Sequence, residues 1–368
     1  MVTRLGVAMA LVGGELVPGD VGVADGRVVE VGLPAGDGGL AVPGFVDLQV
    51  NGYAGADLLT SGRDGWVHAA RALARSGVTA FVANLITAPE PMTTAALGVA
   101  ARLAGGGMPR DAARLVGVHL EGPFLSPAKA GTHPVEHLRP PSVQLVERFL
   151  AAGPVIGMTI APELPGALDV VALLAQRGVL VSLGHSDATA EQAHAGFDAG
   201  ARTVTHVFNA MSAPTARAAG LAGAALGRAD VAVQMICDGV HLGRDTERLV
   251  VAAAGDRFVL VTDTLAAAGS DSPRHRLGEV EVEVVDGVAR RPDGTLAGSV
   301  LSMASAVGRV VESGATVEQA LAAATYRPAD LVGRRDLGRL ALGGVADVAV
   351  LHDTFQVRRT FVAGEPVG

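Results

Sequence analysis

The stretches Val179-Leu-Val-Ser-Leu-Gly-His185 and Thr203-Val-Thr-His206-Val-Phe-Asn-Ala-Met211 decide the fold. Each is a short run of apolar and β-branched residues, typical of a buried strand, that leads to a histidine. The segment between them, 187–200, has a capping residue, good helix formers and a closing glycine, so it predicts a helix. Strand, helix and strand form a βαβ unit, which makes the two strands parallel neighbours.

The two histidines of this unit are then expected side by side at the carboxyl edge of a sheet. Neutral imidazole is a common zinc ligand, so His185 and His206 form half of a candidate catalytic metal site. The alternative is that each histidine only caps its strand with a hydrogen bond. Because two histidines occupy equivalent places on consecutive strands, the metal interpretation is favoured.

Composition and charge restrict the class of protein. The chain has 368 residues, 49% of them apolar and 18% charged, which suits one large domain with a small companion. The formal charge of −8 argues against nucleic acid or a membrane as partner, and a small anionic substrate would need a local cluster of positive charge. Cys237 is the only cysteine, so no internal disulfide can form and a reducing compartment is indicated. With neither a signal peptide nor a long uninterrupted apolar segment visible, we expect a cytoplasmic protein.

The middle of the chain alternates between apolar strand-like runs and helical segments. Eight such runs occur, at residues 45–51, 79–85, 115–122, 155–163, 179–185, 203–211, 231–239 and 258–263. Eight parallel strands with intervening helices are the pattern of a (β/α)8 barrel, the TIM-barrel class of α/β folds. A doubly wound open sheet is the alternative, but no Gly-x-Gly-x-x-Gly motif follows the first run. Residues 276–296 alternate strictly and predict a hairpin inserted after the eighth run, and 299–313 and 317–325 predict the helices that close the barrel.

Both ends of the chain are predicted to be β structure. Short alternating segments separated by Gly, Pro and Asp occur before residue 43, and 344–352 and 356–364 predict two further strands. We expect the two ends to pair into one small β-sandwich. The domains would then be 1–42 and 336–368, which together form the small β unit, and 43–335, which forms the barrel.

Chemistry in such a barrel takes place where the strands end. The polar residues at or just beyond the predicted strand ends are Gln49, Asn51, His119, Glu121, His185, His206, Asp238, His241 and Asp263. Glu with two His is a ligand set of catalytic zinc that leaves a position for water, so Glu121, His185 and His206 are assigned to one divalent metal, with zinc preferred over iron or another metal. His119 lies two residues before Glu121 and is expected to be buried and hydrogen-bonded. Asp263 either caps a turn or, as favoured here, accepts a proton from water and passes it to a leaving group.

Three loops beyond the strand ends offer groups for a substrate. Asn209 and Arg217 follow His206, and Arg217 is either an ordinary surface charge or a clamp for an anionic group. His133 follows Glu121 and brings another imidazole near the metal. The stretch Leu296-Ala-Gly-Ser299 opens a predicted helix and would present backbone N–H groups to a ligand.

A series of motifs along the chain carries a resemblance to a known family. They are Pro43-Gly-Phe-Val-Asp-Leu-Gln-Val-Asn-Gly52, His119-Leu-Glu-Gly-Pro-Phe124, Lys129-Ala-Gly-Thr-His133, Leu183-Gly-His185, Thr205-His-Val-Phe-Asn-Ala-Met211, Asp238-Gly-Val-His241, Val261-Thr-Asp263 and Leu296-Ala-Gly-Ser299. In these motifs the chain resembles the N-acetylglucosamine-6-phosphate deacetylases, a family within the amidohydrolase superfamily of metal-dependent barrels. The resemblance implies a homodimer that hydrolyses N-acetylglucosamine 6-phosphate to acetate and glucosamine 6-phosphate in amino-sugar metabolism.

The resemblance also implies a role for individual residues. The metal ligands that it implies are Glu121, His185 and His206. The catalytic residues that the resemblance implies are Asp263, as acid and base, and His133, which contacts the acetamido carbonyl. The residues that it places against the sugar phosphate are Thr132, His133, Asn209, Ala210, Arg217, His241, Leu296, Ala297 and Gly298.

The first predicted strand bears on the number of metal ions. Many amidohydrolases have His-x-His there and hold a second metal, whereas this chain has Gln49 and Asn51. Amides are poor ligands for a transition metal, so one ion per chain is expected.

Two alternatives to the deacetylase function remain. They are another amidohydrolase, such as a D-amino-acid deacylase, and a catalytically silent barrel that binds sugar phosphates. The intact Asp263 counts against the silent barrel, because a binding protein needs no proton shuttle.

Overall fold

Eight parallel strands form the centre of the protein, in a computed structural model that describes residues 2–368. Neighbours in the sheet follow the order of the chain from the first strand to the eighth. These barrel strands are Phe45–Val50, Val78–Ile86, Arg114–Glu121, Val155–Ile160, Leu180–Leu183, Thr203–Val204, Ala232–Met235 and Phe258–Leu260.

The eighth strand returns to the first and closes the sheet. The backbone N–H of Asn51 donates to the carbonyl oxygen of Thr264 at 2.8 Å. Deeper in the barrel, the buried Asp47 carboxylate accepts from the backbone N–H and the hydroxyl of Thr262. These contacts make a closed (β/α)8 barrel, so the predicted fold class is confirmed.

The sixth strand is much shorter than predicted. The sequence predicted a strand over 203–211, but only Thr203–Val204 is extended in the sheet. Beyond it, His206, Phe208 and Ala210 have positive φ angles of 28°, 71° and 48°, which are incompatible with a strand. The apolar run therefore continues into a turn, and this part of the prediction was wrong.

Helices cover the outside of the barrel. They are Arg63–Arg75, Glu90–Arg102, Val143–Ala152, Ala167–Gln176, Ala190–Ala199, Gly220–Gly227, Arg244–Ala254, Met303–Glu312, Val317–Ala324 and Tyr326–Leu331, with short helical turns at Leu103–Gly107, Pro127–Lys129, Val135–His137 and Gly255–Arg257. The helix predicted within 187–200 begins with a capping box, in which Thr189 and Gln192 each accept the other's backbone N–H. It ends at Gly200, whose φ of 131° stops the helix. These two signals set the strand–helix–strand geometry that brings His185 and His206 to the same edge.

Strands from both chain ends share one sheet, as the sequence suggested. In spatial order the six strands are Glu365–Val367, Val357–Val362, Val348–Leu351, Leu40–Pro43, Met9–Val12 and Glu15–Pro18. A second sheet contains Thr3–Arg4, Asp20–Ala24 and Arg27–Leu33. Buried side chains of both sheets, including Val23 and Val28 from one and Ala41 and Val348 from the other, form a common apolar cluster. The division into 1–42, 43–335 and 336–368 stays a prediction.

The segment inserted after the eighth barrel strand is larger than the predicted hairpin. It is a three-stranded antiparallel sheet of Arg274–Leu277, Val280–Val285 and Val288–Arg290. A further short pair, Gly52–Tyr53 with Ala56–Asp57, follows the first barrel strand. Within residues 2–368, no helix has the length and apolar character needed to cross a membrane.

Candidate active site

Glu121, His185 and His206 converge at the carboxyl edge of the barrel. Glu121 ends the third strand, the two histidines follow the fifth and sixth, and all three side chains are buried. Glu121 Oε1 lies 2.9 Å from His185 Nε2 and 3.0 Å from His206 Nε2, and the two Nε2 atoms are 3.2 Å apart. The three candidate ligand atoms therefore surround one point, as a divalent metal requires.

The protonation of these groups suits metal binding. His185 Nδ1 lies 2.9 Å from the carbonyl oxygen of Lys129, which can only accept, so Nδ1 donates to it and Nε2 is the nitrogen that faces Glu121. Burial raises the pKa of Glu121, but its hydrogen bonds to His133, His185 and His206 outweigh burial and hold that pKa well below its usual range. A carboxylate and two imidazole nitrogens are the donor set of catalytic zinc, so the residues present fit one divalent ion.

The backbone is strained at the residues of this site. His185, His206 and Asp263 have φ angles of 47°, 28° and 52°, in the left-handed region that non-glycine residues rarely adopt. Such conformations cost about 1–3 kcal/mol each and persist only where surrounding contacts enforce them. Each lies shortly after a barrel strand, where the chain turns and leaves the side chain in the cavity.

Asp263 shares this cavity with the three candidate ligands. Its Oδ1 accepts a hydrogen bond from Asn51 Nδ2 at 2.7 Å. Burial, followed by the negative charge of Glu121, raises the pKa of Asp263 to about 7. A carboxyl group that titrates near neutrality can both accept a proton and return it.

One cavity of about 370 Å³ contains most of the predicted site. The predicted residues that line it are Glu121, Thr132, His133, His185, His206, Asn209, Ala210, His241, Asp263, Leu296 and Gly298. Arg217 is exposed and Ala297 is fully buried, and neither lines the cavity. Two larger clefts, of about 950 and 730 Å³, are lined by none of the predicted residues, so the smaller cavity is the candidate active site.

The comparisons with known proteins agree with this geometry. Residues 40–367 match the profile described as the amidohydrolase family. The chain belongs to the amidohydrolase family.

Individual relatives of this amidohydrolase have more specific names. It is 34% identical to N-acetylglucosamine-6-phosphate deacetylase of Vibrio furnissii, over 93% of this chain and 86% of the relative. It is also 34% identical to N-acetylgalactosamine-6-phosphate deacetylase of Escherichia coli O157:H7, over 93% of each chain. Among solved structures, it is similar to N-acetyl-D-glucosamine-6-phosphate deacetylase of Mycobacterium smegmatis, an aspartate-to-alanine variant in complex with N-acetyl-D-glucosamine-6-phosphate. That match has a TM-score of 0.94 at 34% identity and covers 100% of this chain and 99% of the other.

His119 lies below the candidate metal ligands of this amidohydrolase, as predicted. It is buried, and its Nε2 lies 2.7 Å from the hydroxyl of Thr159. That hydroxyl continues through Thr205 to Ser182, which makes a buried chain of hydrogen bonds. Burial lowers the pKa of His119 to about 4, so the ring is neutral.

His133 directs its Nε2 towards the candidate metal ligands. The backbone N–H of Thr87 can only donate, and it meets His133 Nδ1 at 3.2 Å. Nδ1 therefore acts as an acceptor, and the neutral ring carries its proton on Nε2. Nε2 lies 3.8 Å from Glu121 Oε1, so its N–H is available to a group bound beside the metal site.

His241 is held by Asp238 at another wall of the cavity. Its Nδ1 lies 2.8 Å from Asp238 Oδ2, while Asp238 Oδ1 accepts the backbone N–H groups of Val240 and His241, also at 2.8 Å. Burial raises the pKa of Asp238, but the hydrogen bonds and charge of His241 outweigh it and leave that pKa below its ordinary value. The ionised Asp238 fixes the ring, and His241 Nε2 has no hydrogen-bond partner among residues 2–368.

Two further residues reach the site although the sequence interpretation gave them no role. Asn84, on the second barrel strand, donates to both Glu121 and Asn51. Its signal in the sequence is one amide inside the apolar run Val82-Ala-Asn-Leu-Ile86. Lys129, the only lysine of the chain, lines the cavity and pairs with Asp187 at 3.3 Å.

Proposed function

We propose that this amidohydrolase removes the acetyl group from N-acetylglucosamine 6-phosphate, giving acetate and glucosamine 6-phosphate. The observation that carries the proposal is the cavity in which a buried Glu–His–His cluster lies with Asp263 and His133. The names of the relatives at 34% identity support the choice of substrate. A cavity of about 370 Å³ also falls within the range of roughly 300–1,000 Å³ common for small-molecule sites.

The residues of the chain divide the work of amide hydrolysis. A divalent metal held by Glu121, His185 and His206 would supply a Lewis acid and lower the pKa of a water molecule. Asp263 takes the proton of the attacking water on Oδ2, because Asn51 occupies Oδ1. The Nε2–H of His133 donates to the amide oxygen, which gains negative charge as its carbon becomes tetrahedral. Asp263 then returns the proton to the amine nitrogen, since an amide anion is a very poor leaving group.

Other residues that line the cavity are proposed to bind the sugar and its phosphate. Asn209, the backbone of Ala210, and His241 would contact the phosphate end, with Thr132 and the main chain of Leu296 to Gly298 beside the sugar. The chain has a net charge of −8, so a dianionic group needs local positive charge. Arg217 lies on the exposed loop that follows Ala210 and is proposed to complete this set of donors.

Metal, assembly and location are proposed on separate grounds. The Glu–His–His donor set favours zinc, with iron or another divalent metal as the alternative, and the amides Gln49 and Asn51 favour one ion per chain. The resemblance to the deacetylase family favours a homodimer in the cytoplasm that acts in amino-sugar metabolism. Elemental analysis tests the ion, and light scattering coupled to size-exclusion chromatography tests the dimer.

Release of free amine by purified, zinc-loaded protein tests the activity. Phosphorylated N-acetylglucosamine is expected to react far faster than N-acetylglucosamine or N-acetyl-D-amino acids. N-acetylgalactosamine 6-phosphate belongs in the same assay, because a relative is named for it. A preference for N-acetyl-D-amino acids would instead identify a D-amino-acid deacylase. Tight substrate binding without turnover would identify a sugar-phosphate-binding barrel.

A further inference from the structure

Two buried asparagines connect the candidate metal ligand Glu121 to Asp263. Asn84 Nδ2 lies 2.6 Å from Glu121 Oε2 and 2.9 Å from Asn51 Oδ1, and Asn51 Nδ2 lies 2.7 Å from Asp263 Oδ1. Asn84 is 1% exposed and Asn51 is 2% exposed, so bulk water does not compete for these contacts. We call Asn51 and Asn84 together the amide bridge.

The ionised Glu121 carboxylate fixes the direction of every hydrogen bond in the amide bridge. A carboxylate can only accept, so Asn84 turns its NH2 group to Glu121. The same NH2 group also donates to Asn51, whose oxygen must therefore face Asn84. The NH2 group of Asn51 then faces Asp263. Flipping either amide would set two acceptors against each other in a buried place, which folded proteins avoid.

The amide bridge also selects one oxygen of each carboxylate. Asn84 occupies Glu121 Oε2, while Oε1 is the atom near both His185 Nε2 and His206 Nε2. Asn51 occupies Asp263 Oδ1, which leaves Oδ2 without a side-chain donor among the described residues. Glu121 is thus set to ligate through a single oxygen, and Asp263 is set to exchange its proton through a single oxygen.

We propose that the amide bridge is a positioning device for the reaction: Asn84 holds Glu121 for ligation through Oε1, and Asn51 holds Asp263 so that Oδ2 exchanges the proton. This inference rests on the proposed function and deepens it. Neither asparagine is a metal ligand or a proton carrier in this scheme. Both act through the carboxylates that they touch, as partners of metal ligands do in other metalloenzymes.

The contacts of Asn84 and Asn51 differ, so substitutions should separate their effects. Asn84→Leu removes the donor to Glu121 and is expected to weaken metal affinity about ten- to a hundredfold, the range for lost partners of metal ligands. It should also lower kcat while KM stays unchanged, because Asn84 does not line the cavity. Asn51→Leu should keep near-normal metal affinity and lower kcat, because Asn51 touches Asp263 and not the metal ligands.

Gln234 provides a matched control on another barrel strand. It is 3% exposed, and its side-chain amide donates to the hydroxyl of Thr203 at 3.2 Å, away from the cavity lining. Gln234→Leu therefore removes a buried amide hydrogen bond of the barrel without touching the site. It is expected to lower the thermal stability of the metal-free protein as Asn84→Leu does, while metal affinity and kcat stay at the wild-type values.

The decisive measurement is competition for zinc with a chromophoric chelator, followed by kcat and KM of the loaded variants. Folded Asn84→Leu protein with wild-type zinc affinity and kcat would overturn the proposal and reduce the amide bridge to packing. If Asn84→Leu does not fold, Asn84→Ser replaces it. A single hydroxyl proton cannot serve both Glu121 and Asn51, so unchanged zinc affinity and kcat in that variant would overturn the proposal equally.

Zinc competition needs no substrate. Wild-type protein that is inactive on N-acetylglucosamine 6-phosphate would therefore count against the proposed function alone.

Discussion

Three imidazole rings at the site are anchored in the same way, through Nδ1. The partner is a backbone carbonyl for His185, a backbone N–H for His133 and a carboxylate for His241. In each ring Nε2 is left for the cavity, as a candidate metal ligand in His185 and as a candidate donor in His133. The chemistry of each histidine is therefore set by its Nδ1 partner and cannot be read from residue type alone.

Asp263 is the residue whose substitution should separate chemistry from binding. Asp263→Asn keeps the shape of the side chain but cannot take up a proton from water. The variant is expected to retain metal and substrate affinity and to lose about a hundredfold or more in kcat, the range for a positioned acid and base. Steady-state kinetics and substrate titration of the same preparation check this. Near-normal turnover would mean that Asp263 only caps its turn.

Among the elements, the loop after the sixth strand departs most from the sequence interpretation. The strand stops at Val204, and the chain then turns through residues with positive φ before it reaches exposed residues 213–219. Asn209 and Ala210, early in this loop, line the cavity, whereas Arg217 does not. A role for Arg217 thus requires the loop to present it to a bound phosphate.

Arg217→Ala tests that role. A charge-assisted hydrogen bond contributes about 1.5–3 kcal/mol, so its loss should lower kcat/KM for the 6-phosphate substrate about ten- to a hundredfold. Unphosphorylated N-acetylglucosamine should be affected far less. Arg217→Lys should restore activity only in part, because the charge returns without the planar fork. Equal losses on both sugars would show that Arg217 supports the loop and does not contact phosphate.

Asp47, on the first barrel strand, contacts Thr262 just after the eighth strand and has a raised pKa. Burial raises the pKa of Asp47 from 3.8 to about 6, although Thr262 and the backbone donate hydrogen bonds to it. The folded protein therefore binds this proton more tightly than the unfolded chain does. The stabilisation that the Asp47 proton gives to the folded protein is complete below about pH 4 and is lost as the pH rises through about 6.

Asp47→Asn should abolish this dependence, since an amide resembles the protonated acid and does not titrate. Between pH 4 and 7 the free energy of unfolding of the wild type should fall by about 2 kcal/mol relative to that of the variant. Urea unfolding across that range measures it. Asp64→Asn, at an exposed carboxylate, controls for the loss of one charge. A difference that stays flat with pH would contradict the desolvated state of Asp47.

The sequence predicted elements better than it predicted contacts between them. Apolar runs and caps gave the barrel and the helix at Ala190–Ala199, because these signals are local. The sixth strand was overextended because Val207 and Phe208 look like strand residues, whereas residues 207–210 form a turn with positive φ angles at Phe208 and Ala210. Glu121, His185 and His206 were found because equivalent strand ends meet at one edge. The partnership of Asn84 with Glu121 was missed, because an isolated amide in an apolar run does not reveal what lies beside it.

For the whole molecule, a bound metal would join separate parts of the barrel. Glu121, His185 and His206 come from the third, fifth and sixth strand–helix units, so one ion links them in the folded state alone. A ligand that binds only the folded protein stabilises it by about 2.7 kcal/mol when the free ligand concentration is 100 times Kd.

Metal content and thermal stability should therefore change together. Loaded protein should hold about one ion per chain, and removal of the ion by a chelator should lower Tm and abolish activity. The His185→Ala variant lacks one of the three candidate ligands, so adding metal to it should restore neither Tm nor activity. Elemental analysis and calorimetry of the two proteins check this. Two tightly held ions per chain would show that Gln49 or Asn51 takes part in a second site.

The sheet shared by the two chain ends has a consequence for biosynthesis. Ala41 pairs with Ala10 on one side and with Val350 on the other. At translation rates of about 5–20 residues per second, Val350 leaves the ribosome on the order of 15–60 s after Ala41. During that interval the strand Leu40–Pro43 has an open edge that can pair with another nascent chain. Ribosomes that stall before Val348–Leu351 would release a polypeptide with that edge still open, and its fate would depend on chaperones and proteases.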